Sequence, residues 1–202
     1  RGGDCAPAIY KPARGERPLW DFPDPLWKRE VAAYELSEQL GCGLVPTAVA
    51  RQAAPMGPGS VQAFVPAQFA EHYFTIRERE ELAGPLRRLC AFDLVANSAD
   101  RKGGHCLIDP AGRIWGSDNG LTFHEEFKVR TVLWDFAGEP IPADVARAIG
   151  RLLDSAGGSS EEVLRFTRAV KAPFEDEQPQ IVTAVELAEL AISGTARLAV
   201  RV

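Results

Sequence analysis

The feature that most constrains this 202-residue chain is a strand-turn-strand pattern with an acid on each side of it. Asp100-Arg101-Lys102-Gly103-Gly104-His105 leads into residues 106–108. Asp109-Pro110-Ala111-Gly112 supplies a β-hairpin turn, residues 113–117 return, and Asp118-Asn119-Gly120-Leu121-Thr122-Phe123 follows. Strands joined this tightly run back on each other, so Asp100 and Asp118 are expected at the same end of the hairpin. Taken singly, the Asp-Arg-Lys loop reads as a solvated helix end and Asp-Asn-Gly as a tight turn. Their pairing across one hairpin is what points to chemistry.

The flanking sequence places that hairpin in an α+β fold. A short strand is expected at residues 6–12, and the Pro- and Gly-bearing stretch 12–25 reads as a loop. Val31, Tyr34, Leu36 and Leu40 predict an amphipathic helix over 26–40, stopped by Gly41-Cys42-Gly43. Strands at 47–51 and 60–65 flank a Pro55-Met56-Gly57-Pro58-Gly59 turn. The charged stretch 77–81 leads into a helix over 82–96, with Leu86, Leu89, Cys90, Leu94 and Val95 on one face, which delivers the Asp100 loop. Helices are expected near 143–155, 160–170 and 180–193. Residues 1–65 thus form a small lobe of sheet plus one helix, and residues 66–202 a larger, mostly helical one.

With a quarter of its residues charged and 46% hydrophobic, the chain can bury a substantial core. It has no run of eighteen uncharged apolar residues and no secretory pattern among its first residues, so no transmembrane segment and a cytoplasmic location are expected. Cys5, Cys42, Cys90 and Cys106 are scattered without a CxxC, which favours reduced thiols. A net charge of −5 disfavours nucleic acid as a partner and offers no bulk attraction to anionic lipid.

Moving a γ-phosphoryl group calls for a proton acceptor near the attacking hydroxyl, acids that hold magnesium, and a lysine that grips the phosphates. Asp100 and Asp118 are candidates for the first two roles. Lys11 on its strand and Glu30 on the next helix could bring a carboxylate under an ammonium; the plainer reading is two unrelated surface charges. His105 either ligates a metal through neutral imidazole or hydrogen-bonds its own loop. His72 and His124 read as surface or loop histidines. Lys128 and Arg130 follow the Asp118 turn and could receive an acidic group, although solvated loop charge is the plainer reading. Trp134-Asp135-Phe136 and Pro140-Ile141-Pro142 read as a packing anchor.

At these residues the chain resembles the phosphatidylinositol 3-/4-kinase superfamily, most of all type II phosphatidylinositol 4-kinases and related actinobacterial kinase-like proteins. The likeness runs in colinear order over residues 6–142. Ile9-Tyr10-Lys11-Pro12 resembles the lysine strand, Arg29-Glu30-Val31-Ala32-Ala33-Tyr34 the helix with the pairing glutamate, and Gly59-Ser60-Val61-Gln62-Ala63-Phe64-Val65 the strand entering the hinge. Asp100-Arg101 with His105, and Asp118 to Phe123, resemble the catalytic and metal-binding segments. The resemblance implies a two-lobed protein-kinase-like fold that binds ATP with Mg2+ or Mn2+. Lys11 would hold phosphates and Glu30 orient it; Gln62, Phe64 and Val65 would frame adenine over Leu107. Asp100 would orient or deprotonate the acceptor, and Asp118, with His105, would hold the metal.

Three departures qualify that expectation. His105 stands where the family has asparagine, a poorer partner for hard Mg2+, so manganese preference or weak activity is expected. Only ten residues precede Lys11, so the first strands and phosphate-covering loop are expected to be missing here and supplied by a longer parent. No cysteine-rich palmitoylation segment occurs, which weakens the inference to a membrane lipid. The expected function is ATP-dependent transfer of phosphate to a hydroxyl on a lipid, protein or small molecule. The alternatives are a nucleotide-binding pseudokinase or interaction module, and transfer of the nucleotidyl group.

Overall fold

Cross-strand pairing and turn chemistry build the first sheet. In a computed structural model, which describes residues 6–22, 25–124 and 126–155, β1 (Ala8–Pro12), β2 (Ala48–Arg51) and β3 (Gly59–Ala63) pair antiparallel in the order β1-β3-β2. The register sets Lys11 opposite Ser60, Ile9 opposite Gln62, and Ala48 opposite Gln62. Cross-strand partners share a face, so Lys11, Ser60 and Gln62 lie on one side of this sheet. Gly59 permits the close pairing, because a Cβ there would collide with the Lys11 carbonyl oxygen.

Helix α1 (Trp27–Gln39) packs on β2 and β3. Its buried stripe is Trp27, Glu30, Ala33 and Leu36 with Ser37, continued by Leu40 just beyond the helix, while Val31 and Tyr34, expected on that stripe, are only half-buried. The stripe therefore carries one carboxylate inward. Gly41, with φ of 64°, makes the left-handed stop that the sequence predicts. At the other end, the Glu16 carboxylate caps the helix from ten residues upstream, accepting from the amides of Leu26 at 2.9 Å and Trp27 at 2.6 Å.

The second part centres on α3 (Glu80–Val95), which buries Leu82, Leu86, Leu89, Cys90, Ala91, Phe92, Asp93 and Val95. It starts two residues earlier than expected, because Glu80 and Glu81 suit the positive end of a helix. A four-residue helix, α2 (Tyr73–Ile76), precedes it and was not expected; it is too short to show a period, yet Tyr73 and Ile76 are fully buried. The hairpin forms as predicted, with β4 (Cys106–Ile108) antiparallel to β5 (Ile114–Gly116), and α4 (Ala143–Ser155) has the expected bounds. The described residues thus form a mixed α+β fold of two small antiparallel sheets and four α-helices.

The 134–142 segment is anchored in part as expected, since Phe136 and Ile141 pack against the core. Leu133 is fully buried and Asp135 accepts from the Tyr73 hydroxyl at 2.8 Å and Arg77 Nη1 at 2.9 Å, whereas Trp134 is exposed. Cys42, Cys90 and Cys106 are free thiols, and burial pushes those of Cys90 and Cys106 up to about 12, well away from reactive thiolate. No helix among the described residues is long and apolar enough to cross a membrane. Cys5 and the helices expected at 160–170 and 180–193 lie outside the described residues.

Candidate functional site

Four predicted residues meet at one cavity of about 400 Å3: Lys11 from β1, Glu30 from α1, Asp100 from the loop after α3, and Asp118 from the turn after β5. Gly15, Glu16, Arg17, Leu19, Leu26, Trp27, Gly120 and Leu121 complete most of the lining. The size suits a small-molecule site.

Lys11 is the hub. Its ammonium donates to Glu30 Oε1 and, at 3.2 Å, to Asp118 Oδ1, a residue 107 positions away. Glu30 comes from the buried stripe of α1, which is why its carboxylate arrives from beneath and is only 4% exposed, while Asp118 is 58% exposed to the cavity. Burial opposes the charge on Lys11, but Glu30 and then Asp118 outweigh it and hold its pKa above the ordinary lysine value. Burial likewise opposes ionisation of Asp118, and Lys11 outweighs it, leaving that carboxyl below the usual range. Asp118 sits at φ 57°, a left-handed conformation that aspartate tolerates better than most residues and that aims its side chain off the strand.

Glu30 Oε2, Ser60 Oγ and Gln62 Nε2 are buried with no hydrogen-bond partner among the described residues. Ser60 and Gln62 share the sheet face of Lys11 but do not line the cavity, so of these atoms only Glu30 Oε2 belongs to a cavity-lining residue. Buried polar groups are ordinarily satisfied, so an open carboxylate oxygen there marks a place for a ligand or ordered water.

His105 stands beside Asp118. Its Nδ1 lies 3.1 Å from the Asp100 carbonyl oxygen and 3.4 Å from the Lys102 amide, and its Nε2 stands 3.5 Å from Asp118 Oδ2. Burial is the largest influence on the ring and keeps its pKa below the ordinary histidine value, in spite of Asp118. A neutral imidazole and a carboxylate therefore face one point. Among the described residues no group of three or more such side chains gathers for a metal. Mg2+ in nucleotide sites takes one or two protein carboxylates and completes its shell with phosphate and water, so Asp118 with His105 fits that lighter requirement. Asp100 is paired at 2.6 Å with Lys102, a neighbour that the sequence reading gave no role.

The other predicted residues lie elsewhere. Gln62, Phe64, Val65 and Leu107 are not among the residues that line this cavity. Gln62 and Val65 are buried, Phe64 is exposed, and Leu107 is half-buried on β4. The chain after Val65 is stitched to the end of β4 by Gln68, whose amide donates to the Ile108 carbonyl at 2.8 Å. That junction sets the 64–65 segment and Leu107 on neighbouring elements.

Several charges expected at the surface are structural. Lys128 pairs with Asp21 at 3.2 Å and Arg130 Nε donates to the Ala99 carbonyl at 2.9 Å, so both are engaged in holding loops. His124 is buried, not a surface histidine: its Nε2 donates to the Asp21 carbonyl at 2.6 Å and its Nδ1 accepts from the Glu126 amide at 2.9 Å.

Two supports were missed from sequence. Arg101 is fully buried against Asp93, with bonds of 2.9–3.2 Å, and also donates to Asn119 Oδ1 at 2.7 Å and the Ser117 carbonyl at 2.6 Å. Burial opposes its charge and Asp93 outweighs that effect. Arg29, next to Glu30, donates to the carbonyls of Thr122 and Phe123 at 2.6 and 2.7 Å. One tie fixes Asp100 relative to Asp118; the other fixes Asp118 relative to Glu30. A signal existed for the first, since Asp93 falls within the apolar run Leu89-Cys90-Ala91-Phe92-Asp93-Leu94-Val95 and a buried acid needs a cation.

No family model matches the chain. It is similar to Protein Rv2133c of Mycobacterium tuberculosis, with 39% identity over an alignment of 190 residues that covers 77% of this chain and 68% of that protein.

Proposed function

We propose that this chain, which belongs to the family of Mycobacterium tuberculosis Rv2133c, is an ATP-dependent phosphotransferase with a two-lobed kinase-like build. The observation that carries the reading is the meeting of Lys11, Glu30, Asp100 and Asp118, drawn from four separate elements, on one cavity. In this reading Lys11 and Glu30 belong to the upper wall of the cleft and Asp100 and Asp118 to the lower.

Each residue then has a role set by its surroundings. Lys11, steadied by Glu30, takes phosphate oxygens once Asp118 gives it up. Asp118 and His105 Nε2 would hold Mg2+ or Mn2+, the latter better suited to an imidazole ligand. The ion, when bound, neutralises charge on the phosphates. Gln62, Phe64 and Val65 meet adenine from the sheet side and Leu107 from below. Asp100 accepts the proton of the attacking hydroxyl as its oxygen bonds to the γ-phosphorus. The bond from that phosphorus to the β,γ-bridging oxygen breaks, and ADP leaves. Positioning and charge supply the acceleration.

Asp100→Asn tests this directly. Transfer from labelled ATP to an acceptor, or to water as a slow acceptor, falls about 10²-fold or more while nucleotide affinity holds. Full turnover by that variant would refute the role. The competing reading, a nucleotide-binding module without transfer, is favoured by the Lys102 ammonium on Asp100 and by His105 in place of asparagine. It predicts ATP binding by the full chain with no turnover in either metal.

A further inference from the structure

Charge around the cavity is unevenly committed. Its lining carries four carboxylates, Glu16, Glu30, Asp100 and Asp118, against two cations, Lys11 and Arg17. Lys11 is held by two of those acids. Glu16 is engaged with the N-terminus of α1. Arg17 is exposed and forms no ion pair or hydrogen bond among the described residues. It is the one lining cation whose donors are all uncommitted there.

Arg17 is also well carried. The strap that bears it, residues 13–22, leaves the end of β1 just after Pro12 and is pinned on either side of Arg17. The Ala13 amide donates to the Pro58 carbonyl at 2.9 Å, Glu16 clasps α1, and Leu19 bridges Phe22. Phe22 is buried edge-on against His124, with ring centroids 4.8 Å apart. An arginine on an anchored support, facing a cavity and lacking an acidic partner among the described residues, matches what a phosphate group requires: a planar fork of donors at a fixed place.

We propose that the 13–22 strap is the phosphate-covering element of this site and that Arg17 grips the outer phosphates of a polyphosphate ligand. The inference rests on the nucleotide reading above, and moves the covering role to a segment that follows the lysine strand. Because Lys11 is shared between two carboxylates, Arg17 sets the preference for polyphosphates over monophosphates.

The test is calorimetry on the full chain with Mg2+ present, titrating ATP, AMP and inorganic tripolyphosphate into wild type, Arg17→Ala and Arg17→Lys. Arg17→Ala weakens ATP and tripolyphosphate about tenfold or more, leaves AMP unchanged and does not move the melting temperature; Arg17→Lys keeps part of the affinity. Wild-type ATP affinity in Arg17→Ala overturns the assignment and leaves the nucleotide reading intact. Arg17-dependent binding of tripolyphosphate without ATP binding sinks the nucleotide reading and keeps the strap. Binding of neither by wild type removes both.

Discussion

Arg101 and Lys11 both take partners from the turn after β5, and the contrast between their clusters separates structure from function in this molecule. Around Arg101 everything is closed: the Asp93 pair is 0% exposed on both sides, Thr131 also donates to Asp93 Oδ2 at 2.8 Å, and Asn119 completes the shell. Around Lys11 the cluster is open, with an exposed Asp118 and a Glu30 oxygen that has no partner among the described residues. Consecutive residues divide between the two. Asp100 and Asp118 line the cavity, whereas their neighbours Arg101 and Asn119 are buried. The closed cluster locks the two segments together so that the open one can leave its charges incompletely matched, ready for a ligand.

The largest expected effect comes from breaking the closed cluster. Asp93→Asn leaves Arg101 as an uncompensated buried charge and costs about 3–5 kcal/mol in urea unfolding. Replacing both, as Asp93→Leu with Arg101→Met, recovers a substantial part of that loss, because no lone charge remains. A loss below about 1 kcal/mol for Asp93→Asn would erase the proposed division between the clusters.

Next in size is the open cluster, where stability and binding part ways. Asp118→Asn keeps a side chain that tolerates the left-handed backbone and removes the charge. Unfolding free energy changes by no more than about 0.5 kcal/mol, since the residue is exposed. Mg2+-dependent nucleotide affinity falls about tenfold or more in calorimetry. An affinity unchanged across Mg2+ concentrations would strip Asp118 of its role.

The open cluster was more legible in sequence than the closed one. Lys11, Glu30, Asp100 and Asp118 sit at element ends marked by loops and turns, where periodicity and turn chemistry speak clearly. Glu30 even fits the buried stripe at three-residue spacing, once Trp27, Ala33 and Leu36 are taken as its neighbours. The closed cluster depends on contacts between residues 93, 101, 119 and 131, which no local pattern encodes; Arg101 looked like one more solvated charge beside Lys102. The Glu16 cap and the burial of His124 are hidden for the same reason, since each is made by a partner distant in sequence. Helix α2 escaped because four residues cannot display a period.

The smallest effect tests whether burial or saturation makes a carboxylate structural. Asp109, at the far end of the same hairpin, is neither sealed like Asp93 nor open like Asp118, yet its oxygens are filled. Oδ1 accepts from the amides of Ala111 and Arg113, each at 2.9 Å, and Oδ2 from Trp115 Nε1 at 3.0 Å. Burial pushes its pKa up, but these bonds outweigh that and hold it below the ordinary 3.8. A folded-state pKa below the unfolded one means that the carboxylate's stabilisation is complete above pH 3.8 and is lost as the pH falls through the folded value. Asp109→Asn retains an oxygen for the two turn amides but sets its NH2 against the indole N–H, two donors facing each other. The variant loses about 1 kcal/mol at pH 7 and shows a shallower fall in stability below pH 4, followed by urea unfolding across that range. Equal acid sensitivity in variant and wild type would mean that hydrogen-bond saturation without burial confers nothing, and that exposure alone distinguishes the closed cluster from the open one.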